Sequence, residues 1–441
     1  MKKQGKKWML VVLALLAVVT VTLPLVGCKN DTVAEQTGDG TGSGSGNQGT
    51  GDGTGSGDGN QGTGDGTGSG SGNQGSGDPE QPVTYTVFFN ANNGTGSMEE
   101  QPFTAGEEQE LAANAFTRTG FVFVGWSEDS KATSATYSDK AKFTATKDTT
   151  LYAVWIQLLT FTSDSSTALI TKYYVNDRLD SNGEAEVPTG MEYSTDGKTW
   201  KDFTNPQQDI PFGNGTELYL RGRSSTGTAT DTINYINFTF KDGTKVSASG
   251  DIRTLVDWND PVNAVTSNAR FSRLFEYCDE LVTAPKLPAT TLATVCYRSM
   301  FEYCTSLTTA PELPATNLVT NCYQRMFDGC TSLTTAPELK AERLAVCCYE
   351  SMFFGCTGLE TAPELKSTIL PSACYANMFF GCTKLASVTM LATDVSAVSA
   401  LDSWLDGTAD KGTLTVASGM ENDETINNNK PAGWTVVAKT N

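Results

Sequence analysis

Cysteine returns every 26 residues through the C-terminal part of the chain. Cys278, Cys304, Cys330, Cys356 and Cys382 form one series, and Cys296, Cys322, Cys348 and Cys374 form a second with the same step. Phe275, Phe301, Phe327, Phe353 and Phe379 keep the period, as do Leu281 to Leu385 and Pro285 to Pro363. At such a period each unit is one supersecondary piece that cannot bury its own apolar face, so the units must stack and share a core. Within a unit, Leu292, Cys296, Met300 and Cys304 fall at i, i+4, i+8 and i+12 with Phe301 beside them, which predicts an apolar helical stripe. The segment Leu307 to Leu313 predicts a strand, interrupted by Pro311.

Recurrent leucines, one strand and one helical return per unit read as a short leucine-rich-repeat α/β solenoid over residues 259–395. A short stack needs both ends covered, and a C-terminal cap is expected in residues 396–441. It would be built from Leu401 to Leu405, a strand from Gly412 to Val416, and Pro431 to Trp434. The unit Met-Phe-x-Gly-Cys-Thr-Ser-Leu-Thr-Thr-Ala-Pro-Glu-Leu, Met326 to Leu339, resembles the BspA-like leucine-rich-repeat surface proteins of host-associated bacteria. That resemblance runs from Phe271 to about Leu391 and implies adhesion to host or neighbouring-cell components. The last unit departs from it, with Ser387-Val388-Thr389 where Ala-Pro-Glu is expected.

The first residues give an address. Lys2, Lys3, Lys6 and Lys7 precede an apolar run from Trp8 to Val26, which ends Leu25-Val26-Gly27-Cys28. An uncleaved anchor is one reading of a run this long. The Leu-x-Gly-Cys ending resembles the bacterial lipobox, which implies a signal peptide over residues 1–27, lipidation of Cys28 and a lipid anchor in the bacterial cell envelope. Residues 28–82 then read as a disordered linker, almost only Gly, Ser, Thr, Asp, Asn and Gln, with three copies of a 13-residue unit starting at Thr37, Thr50 and Thr63. Its root-mean-square reach is about 40 Å, enough to lift the following domains off a lipid surface toward the outside of the cell.

Residues 83–155 alternate as strands at Thr84 to Phe89, Phe121 to Val124 and Thr150 to Trp155, with a turn at Asn92-Asn93-Gly94. Phe-Asn-Ala-Asn-x-Gly from Phe89, the Thr117 to Trp126 run and Leu-Tyr-Ala-x-Trp from Leu151 resemble the Listeria–Bacteroides repeat, the B repeat of internalin-type surface proteins. The resemblance implies a small β-grasp-like module without catalytic residues, in which Trp126 and Trp155 anchor the core. Residues 156–258 read as a β-sandwich-like domain with a hairpin at Asp196-Gly197. Tyr193 and Trp200 are the residues that would line a sugar face if this domain were a carbohydrate-binding module.

The whole is therefore expected to be multidomain: a β-grasp-like repeat, a β-sandwich-like domain, and the α/β solenoid with its cap. Its composition narrows the chemistry. The 441 residues include no histidine, which removes Ser-His-Asp triads, Cys-His pairs and His-ligated metal sites. With 31 basic against 50 acidic residues, the net charge of −19 argues against a nucleic-acid partner. No nucleophile–base pair, phosphate loop or metal-ligand set stands out, so no catalytic residue, metal or cofactor is assigned. The ten cysteines besides Cys28 read as free thiols in a core, with inter-unit bridges and metal ligation as the alternatives; Cys347, beside Cys348, is expected to be the more exposed of the two.

Binding residues are sought among outward positions. Glu312, Glu338 and Glu364 recur at 26 and form a column of like charge. Asn317 and Arg343 lie in a second column that changes from unit to unit, and Arg298, Gln324 and Glu350 in a third. The expected function is adhesion to a host or bacterial surface protein or glycan through the repeats; the alternative is glycan capture for nutrient uptake through the sandwich-like domain.

Overall fold

The computed structural model describes residues 81–180, 190–203, 209–213, 216–241 and 243–440. The expected signal peptide, lipidated Cys28 and nearly all of the linker lie outside them. The described residues form two compact units: residues 81–118 with Phe123–Trp155, and Ile156 to residue 440 with Thr119–Val122.

In the first unit, β1 (Thr84–Asn90), β2 (Gln101–Thr104), β3 (Phe121–Ser127) and β4 (Thr149–Gln157) make a sheet in the order β2-β1-β4-β3, with β1 antiparallel to β2 and parallel to β4. Asn92 and Asn93 take the left-handed conformation that a tight turn requires and that asparagine tolerates best after glycine. Trp126 is fully buried and ringed by Phe89, Phe116 and Phe123 at 4.9–6.1 Å between centroids. Trp155 packs edge-on against Phe123, and its indole N–H donates to the Ala91 carbonyl at 2.9 Å.

The second unit opens with two sheets. β5 (Leu159–Ser163), β7 (Met191–Ser194), β9 (Glu217–Gly222) and β11 (Val246–Ser249) belong to one; β6 (Ala168–Val175), β8 (Asp209–Pro211) and β10 (Tyr235–Phe240) form the other. All pairings among these strands are antiparallel. The first sheet does not stop at β11. It continues in parallel into Leu281–Thr283, the first strand of the repeat region, and Thr283 bridges in parallel to Thr309 one unit later. One hydrophobic core runs accordingly from Leu159 to Trp434, with Phe161 and Phe238 against Phe275 at 6.0 and 6.1 Å.

The repeats are not an α/β solenoid, and the expected helical stripe does not exist. Among the described residues the only helices are a 3₁₀ turn at Ile252–Leu255 and a five-residue α-helix at Glu424–Asn428. The segment that reads as helix is a chain of four-residue turns. Cys322, Gln324, Met326, Asp328 and Cys330 each donate their amide to the carbonyl three residues back. Asn321, Tyr323, Arg325, Phe327 and Gly329 donate instead to Val346, Cys348, Glu350, Met352 and Phe354, 25 residues ahead in the next coil, at 2.7–3.2 Å. The same alternation is repeated in the coils around Cys296, Cys348 and Cys374. Every fourth residue, such as Asn321, Arg325 and Gly329, sits at positive φ and turns the chain.

The physical reason for the difference is the spacing itself. An α-helix has 3.6 residues per turn, so apolar residues at strict steps of four rotate about 40° each time and leave the stripe within three steps. A four-residue turn returns to the same side at every step, which is how Cys322, Met326 and Cys330 all reach zero exposure.

Side chains then stack coil upon coil. Phe275, Phe301, Phe327, Phe353 and Phe379 form a column with centroids 5.6–5.7 Å apart and rings within 9° of parallel. Tyr297, Tyr323, Tyr349 and Tyr375 form a second, which Trp404 covers at 6.4 Å. Beyond it, the parallel strands Glu364–Leu365, Ser387–Met390, Gly412–Val416 and Trp434–Ala438 complete the C-terminal end. Gly329 has φ +71, and a Cβ there would lie 2.4 Å from the Tyr303 ring, so the exposed Tyr277–Tyr303 stack ends on a glycine by steric need.

Removing a ring from the middle of the phenylalanine column leaves neighbours that cannot close the gap. Phe327→Ala is expected to cost about 3–5 kcal/mol, read as a lower denaturant midpoint for the repeat region.

Candidate functional site

Nine cysteines, Cys278, Cys296, Cys304, Cys322, Cys330, Cys348, Cys356, Cys374 and Cys382, are free and buried. The outer series has a definite task. Cys304, Cys330, Cys356 and Cys382 donate S–H to the backbone carbonyls of Phe275, Phe301, Phe327 and Phe353 in the preceding coil, at 3.0–3.1 Å. A residue as small and apolar as alanine would fill the space less well and would carry no donor. Burial pushes the Cys322, Cys374 and Cys382 thiols up to about 12. Cys347 is as fully buried as Cys348, which corrects the expectation that it is the more exposed. The described residues contain no cluster of three Cys, Asp or Glu side chains able to hold a metal ion.

The third of the candidate columns turns inward. Arg298 donates its Nε–H to Gln324 Oε1 at 2.8 Å, and Gln324 donates its amide N–H to Glu350 Oε2 at 2.9 Å. Gln324 and Glu350 are only 6% and 4% exposed. The differences between units at these positions therefore reflect a donor-to-acceptor ladder inside the stack, not a surface that meets a ligand. Burial raises the Glu350 carboxyl pKa against the lowering influence of Gln324, Arg325 and Arg298.

Two columns do face outward. Glu312 and Glu338 are exposed and Glu364 half-buried. They do not form a bare acidic stripe: Glu338 pairs with Lys366 at 2.7 Å and Glu364 with Lys439. The Lys366 ammonium holds the Glu338 carboxyl below its ordinary range. Asn317 and Arg343 are both exposed and bridge to each other in parallel, and the same edge continues with Ile369, bridged to Asp394. Ile369 is 62% exposed. Around it opens a cavity of about 690 Å³ lined by Glu342, Arg343, Leu344, Lys366, Thr368, Ile369 and Pro371. An amide is thus paired with a guanidinium on one backbone bridge and an alkyl group with a carboxylate on another, with the cavity between the two pairs.

In the sandwich-like part Tyr193 lines a cavity of about 200 Å³ with Ser194, Thr195, Asp196, Thr199 and Lys201. Tyr193 is buried edge-on to Phe203 at 5.6 Å. The Arg221 guanidinium lies between Trp200 at 3.9 Å and Trp258 at 4.0 Å, and Arg221 Nε donates to Glu192 Oε2 at 2.6 Å. Sequence alone pointed to Trp200 but not to its partners, because Arg221 and Trp258 come from distant segments.

Residues 85–154 match the Listeria-Bacteroides repeat domain. The match covers the first compact unit and leaves the sandwich-like part and the coils outside it. No curated protein matches the chain, and no solved structure does.

Two substitutions separate the inward ladder from the outward edge. Gln324→Ala leaves the half-buried Arg298 and the buried Glu350 without their shared partner and is expected to cost about 2–3 kcal/mol in chemical denaturation. Asn317→Ala, on the exposed edge, is expected to stay within about 0.5 kcal/mol of the parent. The nine thiols are expected to resist alkylation at mildly alkaline pH in the folded protein and to react fully once it is unfolded, as mass spectrometry would count.

Proposed function

We propose that this chain is a lipid-anchored protein of the bacterial cell envelope, displayed at the outer surface, that binds a protein or glycan of a host or neighbouring cell. The observation that carries the reading is the exposed edge where two backbone bridges, Asn317 with Arg343 and Ile369 with Asp394, present four different side chains on either side of an open cavity. Such an array suits recognition of an extended surface by several weak contacts held in fixed register. The Listeria-Bacteroides repeat in residues 85–154 and the resemblance of the 26-residue unit to BspA-like surface proteins support the same role. The lipobox-like ending at Cys28 and the Gly/Ser/Thr/Asp-rich segment after it supply the anchor and the stalk.

A fragment spanning residues 83–441 is the reagent for the test, probed against matrix proteins, glycans and intact host cells by direct binding. Joint replacement Arg343→Glu and Ile369→Asp is expected to lower the captured affinity at least tenfold while the melting temperature holds. Equal binding by parent and variant would remove the edge from the interface, and no binding by the parent would end the adhesion reading. Protease treatment of intact cells is expected to release this fragment; its protection until the envelope is broken would place the protein inside.

A further inference from the structure

Charged side chains, most of them buried, converge where the sandwich-like part meets the first coils. Arg273 Nη1 lies 3.4 Å from Glu276 Oε1, 3.6 Å from Asp177 Oδ1 and 3.4 Å from the Tyr235 hydroxyl. Asp177 and Tyr235 come from the two-sheet part, Arg273 and Glu276 from the first coil. Tyr174 stacks on Tyr235 at 4.8 Å and closes that side. Asn237 ties the same elements together by donating to the Arg273 and Glu276 carbonyls at 3.1 and 2.8 Å.

Further along the stack, Arg325 Nη1 stands 3.5 Å from Glu302 Oε1 and 3.4 Å from Asp328 Oδ2. Arg298 acts on the groups of both neighbouring coils and is linked through Gln324 to Glu350. The Tyr277 and Tyr303 rings stack on each other, and the nearby carboxylates, Glu302 and Asp328 for both and Glu276 for Tyr277, add to the rise that burial gives their phenols.

The charges in this cluster do not balance. Asp177, Glu276, Glu302, Asp328 and Glu350 face only three guanidiniums, Arg273, Arg298 and Arg325. Glu276, Glu302, Asp328 and Glu350 are all at most 9% exposed, so water does not screen the excess. Three buried polar atoms here have no hydrogen-bond partner: Asp328 Oδ1, Arg273 Nε and Ser299 Oγ. A carboxylate oxygen without a donor is the costliest of these, and a proton on it removes the charge and creates a donor.

We propose that this cluster is a proton-operated latch: Glu276 and Asp328 take up protons as the medium becomes mildly acidic, which tightens the two-sheet part onto the first coil at Glu276 and the coils onto one another at Asp328, and release them toward alkaline pH, which loosens both contacts. Burial is the first cause in both cases. It pushes the Glu276 carboxyl up to about 7 against the lowering influence of Arg273, with Glu302 and Asp177 adding to the rise. It pushes Asp328 up to about 7 with Glu302 adding to the rise and Arg325 opposing it. Folded carboxyls raised above their ordinary values hold protons that the unfolded chain has lost. Stability from this cluster is therefore greatest below about pH 4, falls as pH rises, and is lost above about pH 8. Carboxyls shifted the other way, such as Glu338 and Asp394, act only at lower pH and leave the neutral window to the latch.

The test begins with the unaltered chain. Calorimetric unfolding at about pH 6, in buffers of different ionisation enthalpy, counts protons exchanged on unfolding, and more than one released per chain is expected. In a Glu276→Gln, Asp328→Asn variant that release is expected to disappear, with a melting temperature above the parent's at about pH 8 and level with it near pH 5. Amide exchange, corrected for its intrinsic pH dependence, is expected to rise toward pH 8 at Phe238 and Phe275 in the parent and not in the variant. No proton release from the unaltered chain, or an unchanged pH slope in the variant, would overturn the proposal; should the variant not fold, the proton count on the parent still decides it.

Discussion

Everything in the repeat region depends on one backbone rule: alternate amides bond backward within the coil and forward into the next. Tyr323 to Cys348 at 3.1 Å and Phe327 to Met352 at 2.9 Å are two rungs of a ladder that runs from Phe271 to Gly381. Because the forward bonds fix coil on coil, identical residues come to lie above one another, and the columns of Phe, Tyr, Met and Cys are the consequence. The left-handed residues that the rule requires cost about 1–2 kcal/mol each when they are not glycine. The forward hydrogen bonds of Asn321, Ser299 and Ser351, and of the less suited Arg325 and Val295, hold them in place.

The same rule explains why the coils need neither disulfides among the nine free cysteines nor helices. A four-residue turn leaves little depth behind it, and only a small side chain with a donor can both pack there and reach the carbonyl of the previous coil. Cysteine meets both conditions at Cys304, Cys330, Cys356 and Cys382. The ends of the ladder are met differently. At one end the ladder passes into an antiparallel sheet through Leu281–Thr283, and at the other Trp404 and four parallel strands cover the last rings.

Much of this was legible in the sequence, and what was not has identifiable causes. The 26-residue period announced stacking, and Thr84–Asn90, Phe121–Ser127 and Thr149–Gln157 stand near where alternation put them, while Gln101–Thr104, Ala168–Val175 and Val246–Ser249 were not anticipated. Leu292, Cys296, Met300 and Cys304 were misread as a helix because spacing of four looks like a helical face over two steps; only its strictness over three distinguishes a turn. Arg298, Gln324 and Glu350 were misread as outward because they differ between units. Difference between repeats marks either a ligand surface or a polar ladder, and here the order of donor, donor-acceptor and acceptor was the available sign of the second. The charge cluster of Asp177, Arg273 and Glu276 escaped sequence reading because it joins segments about 100 residues apart that no local pattern connects.

The forward ladder can be observed directly as scalar coupling transmitted across a hydrogen bond, measured by NMR on an isotope-labelled fragment of residues 83–441. Coupling from the Tyr323 amide nitrogen to the Cys348 carbonyl carbon, and from Phe327 to Met352, is the expected result. Coupling from Tyr323 to Val319 and from Phe327 to Tyr323 would instead mean helical turns, and the stack described above would be wrong.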